Sequence, residues 1–269
     1  MARRKSAGTL LNIACIVTPM QYDYAALVLP HSPRWRSLEV EKKNAKIIKD
    51  LMSGRMPNLR SLSVLWAPDR AGPPRLRLDQ TTYRLRDLTI QCCSLSGFQF
   101  TFPYLRRLDL FGLFTQGPSV DQVVAVLAGC AGSLEVLSLV NSIIWPHHGQ
   151  FCLKSGISLL KLKDLTLGGI RGASMAQILA LIELPSSVTA LVNIEDHDIR
   201  GSEVLDQVAR PIISIANIVE GETFRVILGR LAIVFAFRDI TLRVGFAGGN
   251  GHLPTSDEVH EILRAVLQG

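Results

Sequence analysis

The stretch "PNLRSLSV", Pro57 to Val64, spaces Leu59, Leu62 and Val64 as L-x-x-L-x-[LIV], and the chain repeats this phrase. It returns as "YRLRDLTI", "PYLRRLDL", "GSLEVLSL" and "KLKDLTLG". Aligned on the middle apolar residue, the phrases fall at Ile13, Leu38, Leu62, Leu88, Leu108, Leu137, Leu165 and Leu191. The steps between them are 25, 24, 26, 20, 29, 28 and 26 residues. The third apolar slot also holds, as Val40, Val64, Ile90, Leu110, Leu139 and Leu167.

A period of roughly 20–29 residues carrying L-x-x-L-x-L is the leucine-rich-repeat signature. Each unit contributes a short strand with alternate side chains turned inward. One such strand cannot bury its apolar face alone, so neighbours stack and share a core. The expectation is an α/β fold: an irregular leucine-rich-repeat solenoid, or horseshoe, with parallel strands on its concave side.

The return segments read as some helical and some loop-like. "PSVDQVVAVLAG" opens with Ser119 and Gln122 as a capping box and sets Val120, Val123, Val124 and Leu127 on one face. "ASMAQILALI" suggests the same, with Ser174 and Gln177 as the box and Met175, Ile178, Leu179 and Ile182 as the stripe. "NAKIIKDLMSG" ends on Gly54, suited to a helix C-terminus. "WAPDRAGPPR" is too proline-rich for a helix. From residue 219 the rhythm changes. "FRVILGRLAIVFAFRDITLRVGF" alternates, with Leu231, Ile233, Phe235 and Phe237 on one face and then Ile240, Leu242, Val244 and Phe246. Gly229-Arg230 suits a two-residue hairpin turn. A last helix follows, Thr255 and Glu258 boxing its start. The expected division is a repeat solenoid over 1–218 and a C-terminal β-meander and helix cap over 219–269.

Apolar residues make up 48% of the 269 and charged residues 19%, which is globular composition. The formal charge of +6 is modest, and Arg34, Arg60, Arg84, Arg106 and Arg171 read as scattered beside acids rather than gathered on an aromatic-lined face. Nucleic acid and membrane are therefore not expected partners. Five cysteines without a C-x-x-C pair read as reduced, buried thiols, and the expected location is cytoplasmic or nuclear.

Few segments suggest chemistry. "GFAGGNGH", Gly245 to His252, has the wrong spacing for a phosphate loop and no lysine after it. In "NIEDHD", Glu195, Asp196, His197 and Asp198 are consecutive and cannot all aim at one ion in an ordinary loop. His147 and His148 diverge in an extended segment, and "HEILR" at His260 lacks the second histidine of a zincin. Of Cys92 and Cys93, one is expected to pack inward. No G-x-S-x-G is present. The expectation is a non-enzyme without cofactor or metal.

If Leu62 and Val64 face the core, strand alternation turns Ser61, Ser63 and Leu65 to the concave side. The same rule places Ser37 and Glu39 there, then Asp87, Thr89 and Gln91, Arg107, Asp109 and Phe111, Val136 and Ser138, and Asp164 and Thr166. Acids, hydroxyls and a few apolar anchors suit a protein partner better than a catalytic pocket.

With the repeats placed, "LVLPHSPRWRSLEV", "MPNLRSLSV" and "LPSSVTALVNIED" resemble segments of fungal F-box-type leucine-rich-repeat proteins, whose repeats are ribonuclease-inhibitor-like. "HSPRW", matched at His31, Ser32, Arg34 and Trp35, is the most specific part. The resemblance implies a substrate-recognition adaptor for an SCF-type ubiquitin ligase, in which an F-box docks the ligase's linker subunit and the repeats hold the target. No L-P-x-E-[IVL]-like opening precedes Leu10. Only target binding is therefore carried over, and the linker subunit is a partner only if an F-box lies upstream. The alternatives are a stand-alone or truncated repeat scaffold with no ligase link and, further off, a metal- or nucleotide-dependent enzyme.

Overall fold

The structure, a computed structural model, describes residues 10–16, 28–42, 54–66, 84–92, 102–112, 118–142, 144, 156–170, 172–185, 187–195, 225–228, 232–237 and 240–245. In chain order the first elements are β1 (Leu11–Ile16), a 3-10 helix (Leu29–Arg34), β2 (Trp35–Lys42), β3 (Ser61–Trp66), β4 (Asp87–Gln91) and β5 (Arg107–Phe111). Next come α1 (Val120–Cys130), β6 (Val136–Val140), β7 (Ile157–Ser158), β8 (Asp164–Gly168), α2 (Gly172–Leu181), β9 (Ile182–Glu183) and β10 (Thr189–Glu195). The last are β11 (Arg225–Leu228), β12 (Ala232–Phe237) and β13 (Ile240–Gly245).

Among the described residues eleven strands form one sheet, in the order β1-β2-β3-β4-β5-β6-β8-β10-β13-β12-β11. From β1 to β10 the eight strands follow chain order and every pairing is parallel. The register explains the repeated phrase. Leu62, Leu88, Leu108, Leu137 and Leu165 are partners across adjacent strands, as are Val64, Ile90, Leu110, Leu139 and Leu167. All ten are buried, so each row is a continuous apolar seam.

Four units enter their strands through the same tight turn. Trp35 N–H donates to Ser32, Leu59 to Met56, Leu105 to Phe102 and Leu162 to Leu159, every acceptor being a backbone carbonyl. Pro33, Pro57 and Pro103 occupy the second position of three of these turns, where the ring presets the required φ. This accounts for "HSPRW": Ser32 starts the turn, and Trp35, fully buried, fills the slot that leucine fills elsewhere. Four units, those of β4, β5, β6 and β8, leave their strands through a left-handed corner, at Cys92, Gly112, Asn141 and Gly169. The corner amides bond the next unit, Cys92 to Phe111 O, Gly112 to Val140 O and Asn141 to Gly168 O. At Gly169 a Cβ would collide with the Asn141 side chain, so glycine is required there twice over.

α1 forms as its sequence indicates: Ser119 Oγ accepts from Gln122 N–H, and Gln122 Oε1 accepts from Ser119 N–H. Its buried face includes Val120, Val123, Val124 and Leu127, and it contacts α2. In α2 the stripe of Met175, Ile178, Leu179 and Ile182 is buried as read. The box is not. The helix begins at Gly172, so Ser174 lies inside it, fully buried, donating to Ile144 O at 2.7 Å. Also unforeseen is a two-stranded parallel sheet of β7 and β9.

Two register readings need correction. In β10 the inward residues are Ala190 and Val192, paired with Leu165 and Leu167. Leu191 pairs with Thr166 and is 45% exposed, so it belongs to the opposite face from the one the repeat spacing assigned. In the terminal strands, Leu228 pairs with Ile233, leaving four residues between them where a two-residue turn at Gly229-Arg230 was expected. The antiparallel strands β11, β12 and β13 do form, and β13 pairs parallel with β10, extending the same sheet. Positions 233, 235 and 237 stand opposite 244, 242 and 240, in keeping with their alternation. The helices suggested before Gly54 and after Thr255, and all of "WAPDRAGPPR" but Trp66, lie outside the described residues.

Candidate binding face

The face opposite the apolar seams carries three rows set by the same register. Asn12, Ser37, Ser61, Asp87, Arg107, Val136, Asp164 and Thr189 form the first. Ala14, Glu39, Ser63, Thr89, Asp109, Ser138, Thr166 and Leu191 form the second. Glu41, Leu65, Gln91, Phe111, Val140, Gly168 and Asn193 form the third. All fifteen residues that alternation pointed to therefore share one face. Thirteen of them are exposed or half-exposed, and Asp109 and Ser138 are buried.

The centre of the face differs from its flanks. Asp109 is 7% exposed, with Thr89 and Ser138 as its partners in the row. Thr89 Oγ1 donates to Asp109 Oδ2 at 3.3 Å, and Arg107 Nη1 lies 3.6 Å from the same oxygen. Burial nevertheless pushes the Asp109 carboxyl above its ordinary range; the Arg107 guanidinium and the Thr89 hydroxyl pull the other way, and Asp87 adds to the rise. Toward β1 the face has a shallow depression of about 270 Å³, lined by Asn12, Ala14, Ser37, Glu39, Ser61 and Ser63. Within it Ser37 Oγ donates to Asn12 Oδ1 at 2.8 Å.

The three rows offer hydroxyls, carboxylates, amides, one guanidinium and apolar contacts, the groups that hydrogen-bond and pack against a partner. Asn12, Ala14, Glu41, Val140, Gly168, Thr189, Leu191 and Asn193 also lie on the face and were not picked out in the sequence. Asn12 and Ala14 flank Ile13, the middle residue of the first repeat phrase, and Leu191 was placed in the wrong phase. The arginines were also misread. Arg60 and Arg106 are not scattered: backbone bonds from Arg60 to Arg36, Arg86 to Arg60 and Arg106 to Arg86 put them in one line.

Among the described residues no group of three or more His, Cys, Asp or Glu could hold a metal ion, and no helix is long and apolar enough to cross a membrane. Cys92 and Cys130 are buried free thiols. Burial raises both, Cys130 to about 12. Cys93, His147, His148, residues 196–198 of the acidic loop and residues 246–252 of the glycine loop lie outside the described residues. Comparisons of the chain with protein-family models, curated proteins and solved structures found no match.

Proposed function

We propose that this chain is a protein-binding module, a leucine-rich-repeat solenoid that holds a target protein on the solvent face of its parallel sheet. The observation that carries this reading is the set of three side-chain rows, two continuous over eight strands and the third over seven, open to solvent at most positions. Such a face offers a broad, rigid and chemically mixed surface, which a protein partner can cover and a small molecule cannot. Asp109 is its centre, a poorly hydrated acceptor that gains most from a partner's N–H or O–H. By resemblance, the target is one destined for an SCF-type ubiquitin ligase.

The test changes Asp87→Asn, Asp109→Asn and Phe111→Ala together and compares affinity capture from native-cell extract with the unaltered chain. Specific capture should be lost while the circular-dichroism melt stays cooperative. Unaltered capture would overturn this placement of the surface. Ubiquitylation of the captured protein, reconstituted with the ligase, then tests the adaptor role.

A further inference from the structure

We infer that the rim where the strands begin is a second docking surface, for an acidic segment of a partner protein. The inference rests on the reading of the chain as a binding module and adds the chemistry of what it binds. In the six units whose strands are β2, β3, β4, β5, β6 and β8, the two residues flanking the first buried slot lie on this rim: Arg34 and Arg36, Asn58 and Arg60, Arg84 and Arg86, Tyr104 and Arg106, Ser133 and Glu135, Lys161 and Lys163. Eight of the twelve are cationic and one is acidic, against 29 basic and 23 acidic residues in the whole chain. The rim therefore concentrates the excess charge that looked diffuse along the sequence.

The line is held by backbone bonds. Arg60 N–H donates to Arg36 O, Arg86 to Arg60, Arg106 to Arg86, Glu135 to Arg106 and Lys163 to Glu135. The flanking column is tied to the preceding unit by side-chain bonds, Asn58 Nδ2 donating to Pro33 O and Ser133 Oγ to Leu105 O. With adjacent strands about 4.8 Å apart, Arg36 to Arg106 spans about 14 Å. Four like charges at that spacing repel one another, and an anion laid along the line relieves the repulsion.

The molecule already contains one such contact. Glu135 lies between two cations of its own line, Lys163 Nζ at 2.7 Å and Arg106 Nη1 at 3.6 Å. Its carboxyl is held below the ordinary range, first by the hydrogen bond from Lys163. Among the described residues no carboxylate does the same for Arg36, Arg60 or Arg86. A carboxylate-rich peptide supplies it, since guanidinium groups pair with carboxylates through two parallel hydrogen bonds. Single-stranded nucleic acid fits less well. It needs aromatic platforms beside the cations, and Tyr104 is the only exposed aromatic residue among these rim positions.

Fluorescence anisotropy on the purified chain decides the matter, using a short fluorescein-labelled peptide of alternating glutamate and serine. The controls are the same peptide with glutamine for glutamate and a thymidine oligonucleotide of equal charge. Saturable binding of the glutamate peptide is expected, weakened about tenfold or more in Arg36→Gln/Arg60→Gln/Arg86→Gln and less in the matching lysine triple variant. Equal binding of the glutamine peptide, tighter binding of the oligonucleotide, or no loss in the glutamine variant would each overturn the inference. The assay contains no target protein, so its result is independent of the capture test on Asp87, Asp109 and Phe111.

Discussion

Asp109 keeps a carboxylate where little water reaches it, and the sign of its shift has a consequence for stability. A carboxyl raised on folding contributes stability below its unfolded value, near 3.8, and loses that contribution as pH rises through the folded value. At neutral pH its charge therefore opposes folding, despite Arg107 and Thr89. Asp109→Asn should raise the thermal midpoint at pH 7, with the gap to the unaltered chain closing as pH falls toward 4. A lower midpoint at pH 7 would show that Arg107 and Thr89 outweigh burial. The corners make a second residue-level case. Gly169→Ala needs a left-handed alanine against the Asn141 side chain, at a cost of about 1–2 kcal/mol for the backbone alone. Gly132→Ala meets nothing within 4 Å and should change stability by no more than about 0.5 kcal/mol. Urea denaturation of the two variants measures the difference. Neither Asp109's burial nor the corner at Cys92 was legible in the sequence. Both depend on what adjacent units place around a residue, and cysteine carries no preference for a left-handed backbone.

Among the elements, β2, β3, β4, β5, β6 and β8 were legible because two apolar seams recur in register at every one of them. β10 was not, because "VTALVNI" offers an apolar residue in both phases. Val188, Ala190 and Val192 make one phase, and Leu191 alone, though larger, anchors the other. Pairing with β8 on one side and β13 on the other decides for the first. That decision can be tested by stability. Leu191→Ser should cost little, within about 0.5 kcal/mol, because its side chain is already in solvent. Leu137→Ala, at a fully buried seam position, should cost about 2–5 kcal/mol. Similar losses from the two would refute the register. The S-x-x-Q pattern was read the same way at Ser119 and Ser174, and only the first caps a helix. Ser174 is instead held by the Ile144 carbonyl, thirty residues away, which no local pattern announces.

On the scale of the molecule, each strand bonds only to its neighbours in the sheet, and β1 lies at one edge with β2 its sole strand partner among the described residues. Its Leu11 and Ile13 are only partly buried and Leu10 is 41% exposed. Hydrogen exchange should therefore be faster at the amides of β1 than at those of β6, which is paired on both sides. Equal protection would mean that the sheet opens as one unit. The parallel sheet and its seams were legible from spacing. The face was legible from alternation, whereas the charged rim needed the register to assemble it. Spacing holds one more lesson. From the first buried slot to the left-handed corner the chain always takes seven steps, Leu85 to Cys92, Leu105 to Gly112, Leu134 to Asn141 and Leu162 to Gly169. Across these units all the variation in length, 20 to 29 residues, falls between a corner and the next first slot. Insertions and deletions are thus free to accumulate in the return segments, where new loops can evolve. Within the seven-step span, a single added residue would turn every later side chain of that strand inside out.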